Sequence, residues 1–121
     1  MALKYEVKDY AAKDELELKD IEGNVHKIPI LVTHEDSEKL LAFNEAQNNE
    51  EIRVEDKPSL TIDEFSTILF KDNADKVKEI TGKDYENCVV MVGFQLMSKL
   101  FKNKMEYIKS MNSMRHTLKK N

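Results

Sequence analysis

Apolar and polar residues alternate with period two near the start of the chain. Leu16 and Leu18 are interleaved with Glu15, Glu17 and Lys19, and after Glu22-Gly23-Asn24 the alternation resumes through His26, Ile28, Ile30 and Val32. Such spacing puts every second side chain on one face of a strand, so the segment predicts a β-hairpin. Gly23 and Asn24 tolerate the positive φ of a tight hairpin turn. Pro29 has no N–H and therefore places its strand at an edge or beside a bulge. Tyr5 and Val7 repeat the spacing and are candidates for a third strand. A lone hairpin is marginal in water, so its apolar face must rest on the helices C-terminal to it.

After Val32 the period changes to that of helices. Thr33 or Asp36 can cap a helix running to between Asn44 and Gln47, with Leu40, Leu41 and Phe43 as its apolar patch. Residues 47–57 turn polar and acidic, and only Ile52 and Val54 are candidates for burial, so a mobile loop or short edge strand is expected there. Thr61-Ile62-Asp63-Glu64 reads as a capping box opening a short helix to Phe70. Asp72 can cap a further short helix carrying Val77 and Ile80, with Gly82 in the left-handed position that ends it. The longest helical segment is 84–114, about 45 Å at 1.5 Å per residue, more than a 121-residue domain can bury along its whole length. Its apolar residues Val90, Phe94, Met97, Phe101, Met105, Ile108 and Met111 recur every three or four positions and so read as one face.

These elements predict an α+β fold in one domain, 1–121: a β-hairpin region, 1–32, with a third strand as an option, packed on a mainly helical region, 33–121, that ends in one long basic helix. Residues 88–100 of that helix are apolar on more than one face and read as core. The part beyond Leu100 keeps only a stripe amid Lys102, Lys104 and Lys109, and it is expected to extend past the globule, swap into a neighbour or dock on a partner.

Composition and charge sharpen this picture in one place. The chain holds 40% hydrophobic and 35% charged residues, enough of the former to fold. Net charge is −4, but residues 99–121 hold seven Lys/Arg against Glu106 alone, a local +6, which leaves −10 on the rest. That basic end either complements the C-terminus of a long helix or binds an anionic partner. Against nucleic acid stand the acidic pI of 5.4 and the lack of interleaved aromatics for base stacking. Cys88 is the only cysteine, so no internal disulfide framework exists, which fits a reducing compartment and a cytoplasmic location. No apolar run suggests a signal peptide or a membrane span, so no membrane partner is expected.

Candidate chemistry is sparse. His34-Glu35-Asp36 resembles the beginning of a metal or acid–base cluster, yet no second His follows at helical spacing, and acidic residues suit a helix first turn. His26 falls in a strand and His116 in the basic end, both as surface positions. Cys88 lies in the run Cys88-Val89-Val90-Met91-Val92, where cysteine behaves as a small hydrophobe. The three glycines are too far apart for a phosphate loop. No catalytic residue, metal or cofactor is assigned, and the reading is that of a protein that binds rather than catalyses.

The order of elements resembles that of the small tail assembly chaperones of siphophages and prophages of Gram-positive bacteria: a hairpin around Gly23-Asn24 and Ile28-Pro29-Ile30, an acidic connector, then short helices. The likeness is strongest over residues 61–101, with Phe65-Ser66-Thr67-Ile68-Leu69-Phe70, Asn73-Ala74-Asp75-Lys76-Val77-Lys78-Glu79-Ile80 and Asp84-Tyr85-Glu86. The resemblance implies a self-associating protein that coats a tape measure protein in the host cytoplasm and shields its apolar segments during virion tail assembly. Lys119-Lys120-Asn121 is compatible with the slippery A-rich heptamer at which genes of that family often shift frame. The expected partner-binding surface is Phe94, Met97, Phe101, Met105, Ile108, Met111 and Met114, where flexible methionines suit partners of varied shape. The alternative is a small phage or bacterial regulatory protein that binds nucleic acid or another protein through the basic end.

Overall fold

The computed structural model describes residues 2–6 and 12–118. Val7, one half of the candidate third strand, and Lys119-Lys120-Asn121 lie outside the described residues, and Tyr5 belongs to no strand and is exposed.

The period-two segments form an antiparallel pair, β1 (Ala12–Lys19) and β2 (Val25–Val32), with an unbroken register in which Leu16 faces Ile28 and Leu18 faces His26. Ile28, Ile30 and Val32 are buried while Lys27, Pro29 and Leu31 are exposed, so one face meets the helices and the other meets solvent. The sheet has two strands among the described residues, so both are edges, and Pro29 sits at an edge without a bulge. The turn differs from the expected tight one. It spans Asp20 to Asn24, Gly23 alone takes positive φ, and Asp20 organises it: Oδ1 accepts from the N–H groups of Glu22 and Asn24, each at 2.9 Å. A carboxylate with two backbone donors takes the place of the two positive-φ residues that a shorter turn would need.

Among the described residues four α-helices follow: α1 (His34–Gln47), α2 (Ile62–Phe70), α3 (Ala74–Thr81) and α4 (Tyr85–His116). Thr33 caps α1, its Oγ1 accepting from Asp36 N–H at 3.1 Å. Thr61 caps α2 in the same way through Glu64 N–H at 3.1 Å, while the Glu64 carboxylate takes the Thr61 hydroxyl, so the box closes through side chains. Between α1 and α2 the chain forms turns and a short 3-10 segment at Val54–Asp56, not an edge strand, and Val54 is exposed. That stretch is tied back to α1: Gln47 donates to the Pro58 carbonyl, and Lys57 Nζ donates to the Gln47 carbonyl at 2.6 Å. Lys57 thereby supplies the cation that the last turn of α1 lacks.

The two remaining junctions share one geometry. Lys71 (φ 51, ψ −125) and Gly82 (φ 57, ψ −124) each end a helix and each open a 3-10 turn, Lys71–Asn73 and Gly82–Asp84. Asp72 lies inside the first of these turns and caps nothing; Asn73 precedes α3 without a side-chain cap. Lys71 is the one non-glycine residue at positive φ among those described, and its ammonium pairs with Asp36 at 2.7 Å.

Ile28, Ile30 and Val32, Leu40 and Leu41, Phe65, Ile68, Leu69 and Phe70, Val77, and the α4 series Tyr85, Val89, Val92, Leu96, Met97 and Leu100 form one core. α4 runs through it, packed on α1, α2 and α3. Ser66 and Tyr85 share a buried hydroxyl hydrogen bond between α2 and α4. Ser37 is the exception among the described buried groups, because its Oγ has no partner. A buried hydroxyl without a hydrogen bond costs about 1–3 kcal/mol, so Ser37→Ala is expected to raise stability by about 1 kcal/mol, read as a higher urea midpoint at unchanged slope.

Candidate partner-binding face

The long helix divides sharply. Every buried side chain of α4 lies between Tyr85 and Leu100, and none of the described residues from Phe101 onward is buried. The first half is core, as expected. The second, residues 101–116, is about 24 Å long at 1.5 Å per residue.

The seven candidate residues do not share one face. At about 100° per residue, Phe94, Phe101 and Met105 fall within about 40° of one another, and all three are exposed, the two phenylalanines by 52% and 48%. Met97 is 1% exposed and belongs to the core, so its assignment to a partner surface is corrected. Ile108 and Met111 are half-buried, and Met114, 60% exposed, has drifted about 160° from Phe94. The physical reason is the spacing itself. Steps of three from Met105 through Ile108 and Met111 to Met114 each fall about 60° short of a turn, so a run of threes winds around the helix unless fours correct it. Two residues outside the expected set join the exposed apolar side, Val90 and Met91. The sequence carries a signal for Val90, four positions before Phe94; Met91 has none.

The face is anchored from beneath. Phe65 on α2 meets Phe94 with ring centroids 6.5 Å apart and Phe43 of α1 edge-on at 6.0 Å. The Phe65 ring lies against Gly93, where an added Cβ would stand 2.6 Å from its nearest carbon. An exposed apolar residue thus rests on the buried ring of Phe65, which limits the entropy lost when a partner covers it.

Charge surrounds the face. Lys102, Lys109 and Arg115 are exposed on the same half of α4, opposed by Glu106. Lys99, at the boundary, is engaged with Asp14 of β1 at 2.6 Å. Its hydrogen bond, followed by the Glu15 N–H, holds the Asp14 carboxyl below its usual value. A depressed carboxyl contributes stability that is full above the ordinary Asp value of about 3.9 and is lost as pH falls through the lower folded value. Asp14→Asn is therefore expected to be less stable than the parent at pH 7, by a small margin because both partners are exposed. The gap should close in denaturant titrations as pH falls through the lowered Asp14 value and the carboxyl is protonated in both states.

The other candidates are dispersed. His26 Nε2 meets Asp20 Oδ2 at 2.9 Å within the hairpin, a partner not anticipated from spacing, and that contact, followed by the Asn24 N–H, lowers the Asp20 carboxyl. His34 begins α1 and His116 ends α4, both exposed. Cys88 is half-buried, and burial, then the Asp84 carboxylate, pushes its thiol up, which works against thiolate chemistry. Among the described residues no three His, Cys, Asp or Glu side chains are grouped as a metal ion would require. None of the described helices is long and apolar enough to cross a membrane. Comparison of the chain with protein-family models, with curated proteins and with solved structures finds no match in any of the three.

Proposed function

We propose that this is a non-catalytic binding protein of the siphophage tail assembly chaperone type, which covers apolar helical segments of a tape measure protein in the host cytoplasm. The observation that carries the reading is the line Phe94, Phe101 and Met105, exposed on a helix whose second half has left the core. An amphipathic helical partner laid along that line would bury aromatic and thioether surface against its own apolar stripe, the mode in which helices recognise helices. Methionine adapts to successive, dissimilar segments of a long partner. The order of elements supplies the phage context, and self-association along the same surface would extend the cover.

A double variant tests the surface. Phe101→Ser with Met105→Ser changes exposed residues only, so the fold is expected to hold while affinity for a co-expressed tape measure fragment falls at least tenfold. Unchanged affinity would sink the assignment. The gene should also lie between those for a tail tube protein and a very long tape measure; neighbours unrelated to virions would remove the phage reading.

The exposed Lys102, Lys109 and Arg115 with Lys104 support a second reading, in which the basic end of α4 binds nucleic acid. Four phosphate contacts would give a slope of about −3.6 for log affinity against log salt. Apolar binding through Phe101 and Met105 keeps its affinity at high salt, so one titration separates the two.

A further inference from the structure

The outer edge of β1 has no strand beside it among the described residues. In an antiparallel pair half of each strand's backbone N–H and C=O groups point away from its partner, and such an edge is a template for another chain. Alongside it lies a cleft of about 600 Å³, whose apolar part includes Leu16 and Leu18 on the strand and Ile80, Cys88, Met91 and Val92 on the helices, with Thr81, Asp84 and Gln95 among its polar lining. Leu16, Leu18, Ile80 and Cys88 are only half-buried there, and Met91 is exposed. The apolar layer under the sheet thus continues past the last strand, where one more strand, about 4.8 Å further out, would cover it.

Residues 2–6 of the chain match that place. They belong to no helix or strand, Leu3 and Tyr5 are fully or largely exposed, and apolar Leu3 and Tyr5 alternate with charged Lys4 and Glu6. Set parallel to β1, Leu3 falls beside Leu16, Lys4 beside Glu17, Tyr5 beside Leu18 and Glu6 beside Lys19. Both apolar pairs then face the cleft and both charged pairs, each of opposite sign, face solvent. Antiparallel registers do worse: one sets Glu6 beside Glu15, and the next puts Tyr5 beside Asp14.

The parallel register excludes the chain's own segment. With Glu6 level with Lys19, Ala12 lies seven positions back, about 23 Å at 3.3 Å per residue. Six residue steps span at most about 22 Å, and parallel neighbours ordinarily need a connection of about a dozen residues or more. We propose that residues 3–6 of a second copy add to the outer edge of β1 as a parallel third strand, seating Leu3 and Tyr5 in the cleft. This association shares Met91 with the exposed apolar side of α4 but none of Phe94, Phe101 and Met105, and it does not rest on the phage reading.

The test is made in full chains carrying Phe101→Ser and Met105→Ser, which weakens self-association through the α4 line; Cys88, which lines the cleft, is left unchanged, and mass spectrometry of the linked peptides counts only links that join position 4 to the partner position. A Lys4→Cys chain is mixed with a Glu17→Cys chain and treated with a short bis-maleimide. The expected product is a linked dimer of one chain of each kind, at least tenfold more abundant than from Lys4→Cys mixed with Lys13→Cys, a position four residues out of register. Equal yields, or none, would overturn the proposal. A second measurement avoids cysteine changes altogether. By sedimentation equilibrium, Lys4→Glu should weaken dimerisation by about two- to fivefold, and Lys4→Glu with Glu17→Lys should restore it. A chain that is monomeric at every concentration, or indifferent to Lys4→Glu, also overturns it.

Discussion

Met97→Ala is expected to destabilise the protein by about 2–5 kcal/mol, the range for truncating a buried methionine, whereas Met105→Ala should change stability by about 0.5 kcal/mol or less. The two residues stand eight positions apart on one helix and carry the same side chain. Met97 is enclosed by the core at 1% exposure; Met105 is exposed on the second half of α4. Removing the Met97 thioether leaves a cavity between elements that cannot collapse freely, since α4 is packed on α1, α2 and α3. Denaturant midpoints of the two variants measure the contrast. If both lost comparable stability, the second half of α4 would be part of the core, and the proposed binding line would lose its basis.

Gly93→Ala should be the next largest effect and runs against helix propensity. In a solvent-exposed helix interior this change gains about 1 kcal/mol. Here the new methyl carbon would stand 2.6 and 2.9 Å from two carbons of the Phe65 ring. The ring cannot simply swing away, because Phe43 and Phe94 bracket it and the residue is buried. Overpacking of a tight core costs about 1–3 kcal/mol, more when a rigid ring must move, so a net loss of about 1–2 kcal/mol is expected. The double variant Gly93→Ala with Phe65→Leu should lose less than the sum of the two single changes, since the smaller side chain yields the space the methyl needs. Additive losses would show that the methyl is accommodated elsewhere.

Legibility in the sequence depends on which signals are local. The hairpin register is readable because strand alternation is fixed by the backbone, and a slip of one residue would turn Ile28, Ile30 and Val32 outward. The caps of α1 and α2 are readable because Thr33 and Thr61 act within four residues. The hairpin turn departs from expectation because Asp20 acts from before the Gly23-Asn24 pair and takes donors up to four residues on. Lys71 is invisible: nothing in a lysine announces positive φ, and its conformation is imposed by the helices on either side and by Asp36, thirty-five positions earlier. On α4 the stripe is right only in part: the threes from Met105 to Met114 wind it around the helix, and its inward and outward sides are not set by spacing. Periodicity identifies a stripe, but only the packing of α2 against Gly93 decides that Met97 turns inward while Phe94, three residues earlier, stays out.

The departure of α4 from the core also sets the thermodynamics of whatever binds it. Residues 101–116 form a sixteen-residue helix without buried side chains, near the length at which isolated helices are only marginally ordered in water. Propagation from the anchored turns before Leu100 favours the helical state, and the far end unravels most readily. A partner that recognises the helical form meets only the fraction of molecules in which the helix is wound, and its apparent affinity is scaled by that fraction. Affinity at this surface is therefore adjustable from residues that never touch the partner, through the helix propensity of the solvent-facing positions between Lys102 and Ser113.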